Sequence, residues 1–132
     1  MSYPIIPITT LVPQQSVAPT PYLITAATYP FQMMFLNNGS CQLYVDNFNT
    51  PGSTISCTVT ILAVPDQAGR TGTTVTPTGY STVLAPYSRQ YFGPFRQSWW
   101  NQTTADVGYV YLTFSASSGD TLSNVATYVI NF

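Results

Sequence analysis

Asp46, Asp66, Asp106 and Asp120 are the only side-chain carboxylates, and any proton transfer would fall to them alone. The chain has no histidine, lysine or glutamate, and its three cations are Arg70, Arg89 and Arg96. General acid–base catalysis wants a group titrating near the working pH, and a Ser or Thr nucleophile wants a base beside it. The aspartates lie far apart, each in or near turn-forming residues. They read as turn caps whose carboxylates accept nearby backbone amides. No Asp-x-Asp-x-Asp spacing suggests calcium, and two thiols, Cys41 and Cys57, are too few to hold a metal without histidine. Gly69-Arg70-Thr71-Gly72 reads as a turn, not a phosphate cradle. No enzymatic activity, cofactor or metal is expected, and a hydrolase using Ser or Thr with an aspartate ranks last among the functions considered.

Contact chemistry is better represented. Tyr91-Phe92-Gly93-Pro94-Phe95-Arg96-Gln97-Ser98-Trp99-Trp100-Asn101 is the densest aromatic run of the chain. Gly93-Pro94 must end the preceding strand, because proline cannot donate to a ladder and restricts its predecessor. The aromatics then sit on a corner. Phe95, Arg96, Trp99 and Trp100 are candidates for a contact platform, since aromatic residues and arginine are enriched where proteins meet. The competing reading has them plug one end of the fold. Because neighbouring residues tend to point opposite ways, Trp99 and Trp100 are expected to divide the two roles.

A second candidate surface is the N-terminus. Residues 1–21 carry Pro4, Pro7, Pro13, Pro19 and Pro21 among apolar side chains. Prolines at this density forbid a helix and favour an extended arm that cannot pack on itself. Tyr3, Ile5, Ile6, Ile8, Leu11 and Val12 are the residues such an arm would offer a partner. The arm could equally lie along its own domain as an edge strand.

The elements that must position these residues are strands. Turn clusters at short intervals divide the chain from Tyr22 onward into candidate strands at 22–29, 31–36, 41–46, 55–64, 72–76, 79–84, 87–93, 107–115 and 123–131. Alternation is clearest in Ile55, Cys57, Val59, Ile61 and Ala63, and in Gly108, Val110, Leu112 and Phe114, with hydroxyl-bearing residues between. Asn37-Asn38-Gly39-Ser40, Asn49-Thr50-Pro51-Gly52-Ser53 and Ser117-Ser118-Gly119-Asp120 supply turns. The fold class is all-β, an immunoglobulin-like or jelly-roll-like antiparallel sandwich over 22–132 with the extended arm 1–21 attached. On this division, removing residues 1–21 should leave the sandwich folded.

Composition narrows the partners. Charged residues are 5% of the chain and aromatics 14%, with ten tyrosines, so the exterior is built from Tyr, Thr, Ser, Asn and Gln. A net charge of -1 offers no footprint for phosphate backbones, so nucleic acid is not expected as a partner. No apolar stretch is long enough to span a bilayer, and the start Met-Ser-Tyr-Pro lacks the basic region of a secretory signal, so synthesis in the cytoplasm is expected. Alternation places Cys41 and Cys57 on apolar faces, possible neighbours on adjacent strands. A bridge and two buried free thiols both remain open, with the missing signal favouring thiols. The glycosylation tripeptides at Asn38 and Asn101 carry no weight in so Asn-rich a chain.

Several segments together resemble a known family. These are Gly93-Pro94-Phe95, the pair Trp100-Asn101, the strand Gly108-Tyr109-Val110-Tyr111-Leu112-Thr113-Phe114-Ser115 and the terminal Ala126-Thr127-Tyr128-Val129-Ile130-Asn131-Phe132. With Asn37-Asn38-Gly39-Ser40, Cys41 to Asn47 and Ile55 to Val64, they resemble small β-sandwich proteins encoded among the head genes of tailed bacteriophages. The resemblance covers roughly 29–132 and leaves the arm outside. The chain departs from it at Arg96 and Gln97, where that family often carries prolines, and in having fewer charges. The resemblance implies a capsid decoration, or cement, protein on the virion exterior. It implies the major capsid protein as partner and a homo-oligomer, with a trimer favoured. The rival reading is a carbohydrate- or receptor-binding module of a fibre, with Trp99, Trp100 and nearby tyrosines stacking on sugars.

Overall fold

A computed structural model describes residues 3–26, 30–63, 80–103, 105–117 and 120–132. Nine strands and one helical turn are assigned among them: β1 (Ile8–Thr10), β2 (Tyr22–Ile24), β3 (Phe31–Leu36), β4 (Cys41–Asn47), β5 (Cys57–Ile61), β6 (Tyr80–Leu84), β7 (Ser88–Phe92), α1 (Gln97–Trp100), β8 (Tyr109–Ala116) and β9 (Val125–Asn131). The expected strand at 72–76 lies outside the described residues.

Alternating side chains build one core between two sheets. Leu43 and Val45 from β4, Val59 and Ile61 from β5, Val110, Leu112 and Phe114 from β8, and Val125 and Val129 from β9 are all buried; their neighbours along β4, β5 and β8 face outward, while on β9 Ala126 is buried as well. One sheet runs β3-β8-β5-β6. The other runs β9-β4-β7, with β1 and β2 both paired to the remaining edge of β9. From β2 onward every connection crosses between the sheets except β5 to β6. That is jelly-roll connectivity; an immunoglobulin sandwich keeps several successive strands within one sheet.

The arm is part of this fold. The Ile6 amide donates to the Met34 carbonyl at 3.0 Å, and the Met34 amide to the Pro4 carbonyl at 3.0 Å, extending the β3 edge. Two residues later β1 pairs in parallel with Val129–Asn131 of β9 in the opposite sheet. Between these anchors Ile6 plugs the core at 0% exposure. Residues 4–10 thus strap the two sheets together along one side. Met33, Met34 and Phe35 are buried in succession where alternation would expose one, and Met34 is the residue that bridges to Ile5 of the strap. The division at residue 21 is therefore corrected, and truncation there would remove a core side chain and a strand. What projects is the stretch 11–20, pinned by the Leu11 amide on the Asn131 carbonyl and the Thr20 amide on Thr9 Oγ1, both at 3.0 Å.

The cysteines are separated by the same topology. Cys41 begins β4 in one sheet and Cys57 begins β5 in the other. Asn47 at the far end of β4 bonds the Ile55 carbonyl, so Cys57 lies near that end, about 20 Å along the strand from Cys41. No bridge spans that distance. Both are buried free thiols, and burial pushes the Cys57 thiol up to about 12.

Candidate functional site

Two buried asparagine pairs hold the ends of the sandwich. At one end Asn37 Nδ2 donates to the Phe95 carbonyl at 3.0 Å and to Asn101 Oδ1 at 2.8 Å. Asn101 Nδ2 returns a bond to the Asn37 carbonyl at 3.0 Å. The turn after β3 is thereby tied to the corner that carries the aromatics. At the other end Asn47 Nδ2 reaches the carbonyl of Ile55, just before β5, and that of Leu84 on β6 in the opposite sheet, and Asn49 Nδ2 donates to Asn47 Oδ1 and to the Ser123 carbonyl. Amides suit this work because each offers donors and an acceptor without the desolvation cost of a charge.

The corner itself is a single turn of helix, not a continued strand. The amides of Trp99 and Trp100 both donate to the Arg96 carbonyl. Residues 99 and 100 therefore lie about 100° apart around a helix axis and do not alternate across a pleat. Their roles still differ. Trp100 packs against the core and edge-on to Phe95, with centroids 5.9 Å apart, while the Arg96 guanidinium stands 5.4 Å from the Trp99 ring centre. Phe95 is buried and packs on Phe35, so of the corner residues it supports the platform from beneath.

Beside the corner lies a cleft of about 320 Å³ lined by Ile61, Tyr80, Tyr91, Phe92, Gly93, Pro94, Phe95 and Trp100. It opens where the edge strands of the two sheets, β6 and β7, come together. Gly93 is required here: its φ is +100°, and a Cβ would stand 2.9 Å from the Phe95 ring and 3.2 Å from the Cys41 carbonyl. Tyr91, Tyr80, Gly93 and Pro94 are the exposed members of the lining. Tyr91 also heads a row of rings across the outer face, 4.5 Å from Tyr44, which in turn lies 5.5 Å from Tyr128. Burial, followed by the charge of Asp46, raises the Tyr44 pKa.

A second surface runs along the opposite edge. Ile5 is 49% exposed, Ile8 37%, Leu11 40% and Val12 43%, and Leu23 on β2 is 51% exposed. Tyr3 is not part of it as an open side chain; its ring packs edge-on against Tyr111 at 5.0 Å. Ile6, expected as a contact residue, points inward and is enclosed by the core.

Among the described aspartates, Asp106 departs from the expected backbone cap by taking a side-chain hydroxyl. Asp46 faces outward within β4, opposite Arg89 of β7, and Asp106 accepts the Tyr111 hydroxyl at 2.6 Å. Asp120 joins a turn through its own amide, which donates to the Ser117 carbonyl, and Asp66 lies outside the described residues. Among the described residues no three of His, Cys, Asp or Glu converge on a possible metal position, and no helix is long and apolar enough to cross a membrane.

Sequence reasoning placed Tyr91 in the aromatic run but missed Tyr80 and Leu23 as surface features, and it did not foresee the buried roles of four asparagines. Strand alternation marks Tyr91 as outward facing. Asn37 and Asn49 read only as turn residues and Asn101 only as part of a motif, and nothing marked their burial or that of Asn47 among so many asparagines. Comparison with family profiles, curated protein sequences and solved structures gives no match.

Proposed function

We propose that this protein is a structural component of a phage virion that decorates the capsid exterior. On this reading it binds the major capsid protein through the strapped edge and acts as a homo-oligomer, with a trimer favoured. The observation that carries the reading is the row of exposed aliphatic side chains Ile5, Ile8, Leu11, Val12 and Leu23 along that edge. Exposed apolar residues gathered on one edge suit a contact site, and here a strap anchored at both ends and the paired β2 present them in a fixed geometry, which lowers the ordering cost of binding. Several copies engaging one shell would multiply a modest single-site affinity. Jelly rolls recur in viral shells and in lectins, an architecture compatible with the reading.

Cosedimentation with purified phage heads tests this. The expected result is saturable binding that changes little between low and high salt, because uncharged contacts are not screened. Failure of the folded protein to cosediment with heads, or binding lost at moderate salt, would count against it.

A further inference from the structure

We propose that the cleft between β6 and β7 binds a neutral sugar ring, at the edge of the molecule remote from the surface assigned to the capsid. The two features are separate in the fold. β1 and β2 flank one side of β9, and β7 is reached only after β9 and β4, three strand spacings or about 14 Å across the sheet. Occupation of the strapped edge by a shell leaves the cleft accessible.

The lining determines the ligand class. No acid, base or thiol is among the described residues that line the cleft, so a charged ligand would be desolvated there without a counter-charge. The wall is instead made of aromatic rings, and its volume of about 320 Å³ lies within the range of small-ligand sites. Tyr91 is held from behind by Tyr44, with centroids 4.5 Å apart, so its ring is positioned before any ligand arrives. Tyr80 packs edge-on against Phe92 at 5.7 Å and stands opposite on the other sheet.

A purely apolar ligand would leave the rim unused. Tyr80 Oη accepts a long bond from Gln90 Nε2 at 3.5 Å, which leaves its own proton to donate. Apolar ring faces with hydroxyls at their margins match a pyranose, which presents C–H groups on one face and hydroxyls around its edge.

The test uses the full chain, titrated with methyl glycosides of the common neutral hexoses and their disaccharides. Binding is followed by amide chemical shifts and, in a Trp99→Phe background, by Trp100 fluorescence. The expected result is saturable binding by at least one sugar, with shifts confined to the neighbourhood of Gly93, Tyr80 and Trp100. Tyr91→Ala and Tyr80→Ala should each weaken it about tenfold, and Val107→Ala, which lies outside the lining, should not. Both tyrosines are exposed, so these variants should keep the wild-type circular dichroism. Silence across the panel from folded protein overturns the proposal. So does binding that survives both tyrosine changes, or capture of an apolar dye in the cleft with no sugar competing for it. Loss of head binding would leave this result unaffected, so the two readings fail separately.

Discussion

Asn37 and Asn101 close on each other head to tail: the Asn37 side-chain amide donates to Asn101 Oδ1 at 2.8 Å, and the Asn101 amide donates back to the Asn37 main-chain carbonyl at 3.0 Å. This buried pair fixes the aromatic corner to the turn between β3 and β4. Asn101→Ala leaves buried polar groups unpaired and should cost about 1–3 kcal/mol in urea denaturation. Asn38→Ala, at an exposed position next in sequence, should cost much less. Equal effects would mean the pair does not anchor the corner.

The strap separates two roles within the N-terminal residues. Ile6→Ala should destabilise the fold by about 2–5 kcal/mol by opening a cavity in the core. Leu11→Ser and Val12→Ser, on the projecting stretch, should leave the melting temperature nearly unchanged while weakening head binding. Thermal melts and cosedimentation on the same samples check both halves.

Gly93→Ala should be costly for its position. A side chain at φ +100° is strained, and its Cβ would press on the Phe95 ring and the Cys41 carbonyl. A loss of about 1–3 kcal/mol is expected. Gly52→Ala, with nothing within 4 Å of the added carbon, should be tolerated.

Alkaline pH should expose the Tyr111–Asp106 contact. The hydrogen bond to the Asp106 carboxylate is the main cause that pushes the Tyr111 phenol up to about 12 from its ordinary 10.0. The unfolded chain therefore loses that proton first as pH rises. The stabilisation is complete below pH 10 and is lost between pH 10 and about 12. Tyr111→Phe should flatten the fall of stability over that window. Cys57, raised from 9.0 to about 12 by burial, adds to the same fall and should persist in the variant.

What the sequence made legible were the features that repeat. Alternation at Val110, Leu112 and Phe114 and at Cys57, Val59 and Ile61 predicted strands that the fold contains, and all six side chains are buried. The turn at Asn37–Ser40 falls between β3 and β4 as expected, with Gly39 at φ +93°. The arm was harder. A three-residue strand among prolines has no period to detect, and only its two edges of contact, Met34 and Val129–Asn131, show that Ile6 must turn inward. The corner was missed as a helix for a similar reason: one turn from Gln97 to Trp100 has no side-chain cap to announce it. The cleft was invisible because Tyr80 and Tyr91 lie on different sheets and meet only through the jelly-roll crossing between them.

Hydrogen exchange on head-bound against free protein tests the central claim most directly, because it asks both whether the shell is bound and by which surface. Amides at Ile5, Leu11, Val12 and Leu23 should slow in the complex while those at Tyr91 and Gly93 keep their free rates. Protection at the cleft with none along the strapped edge, or no complex at all, would contradict the account.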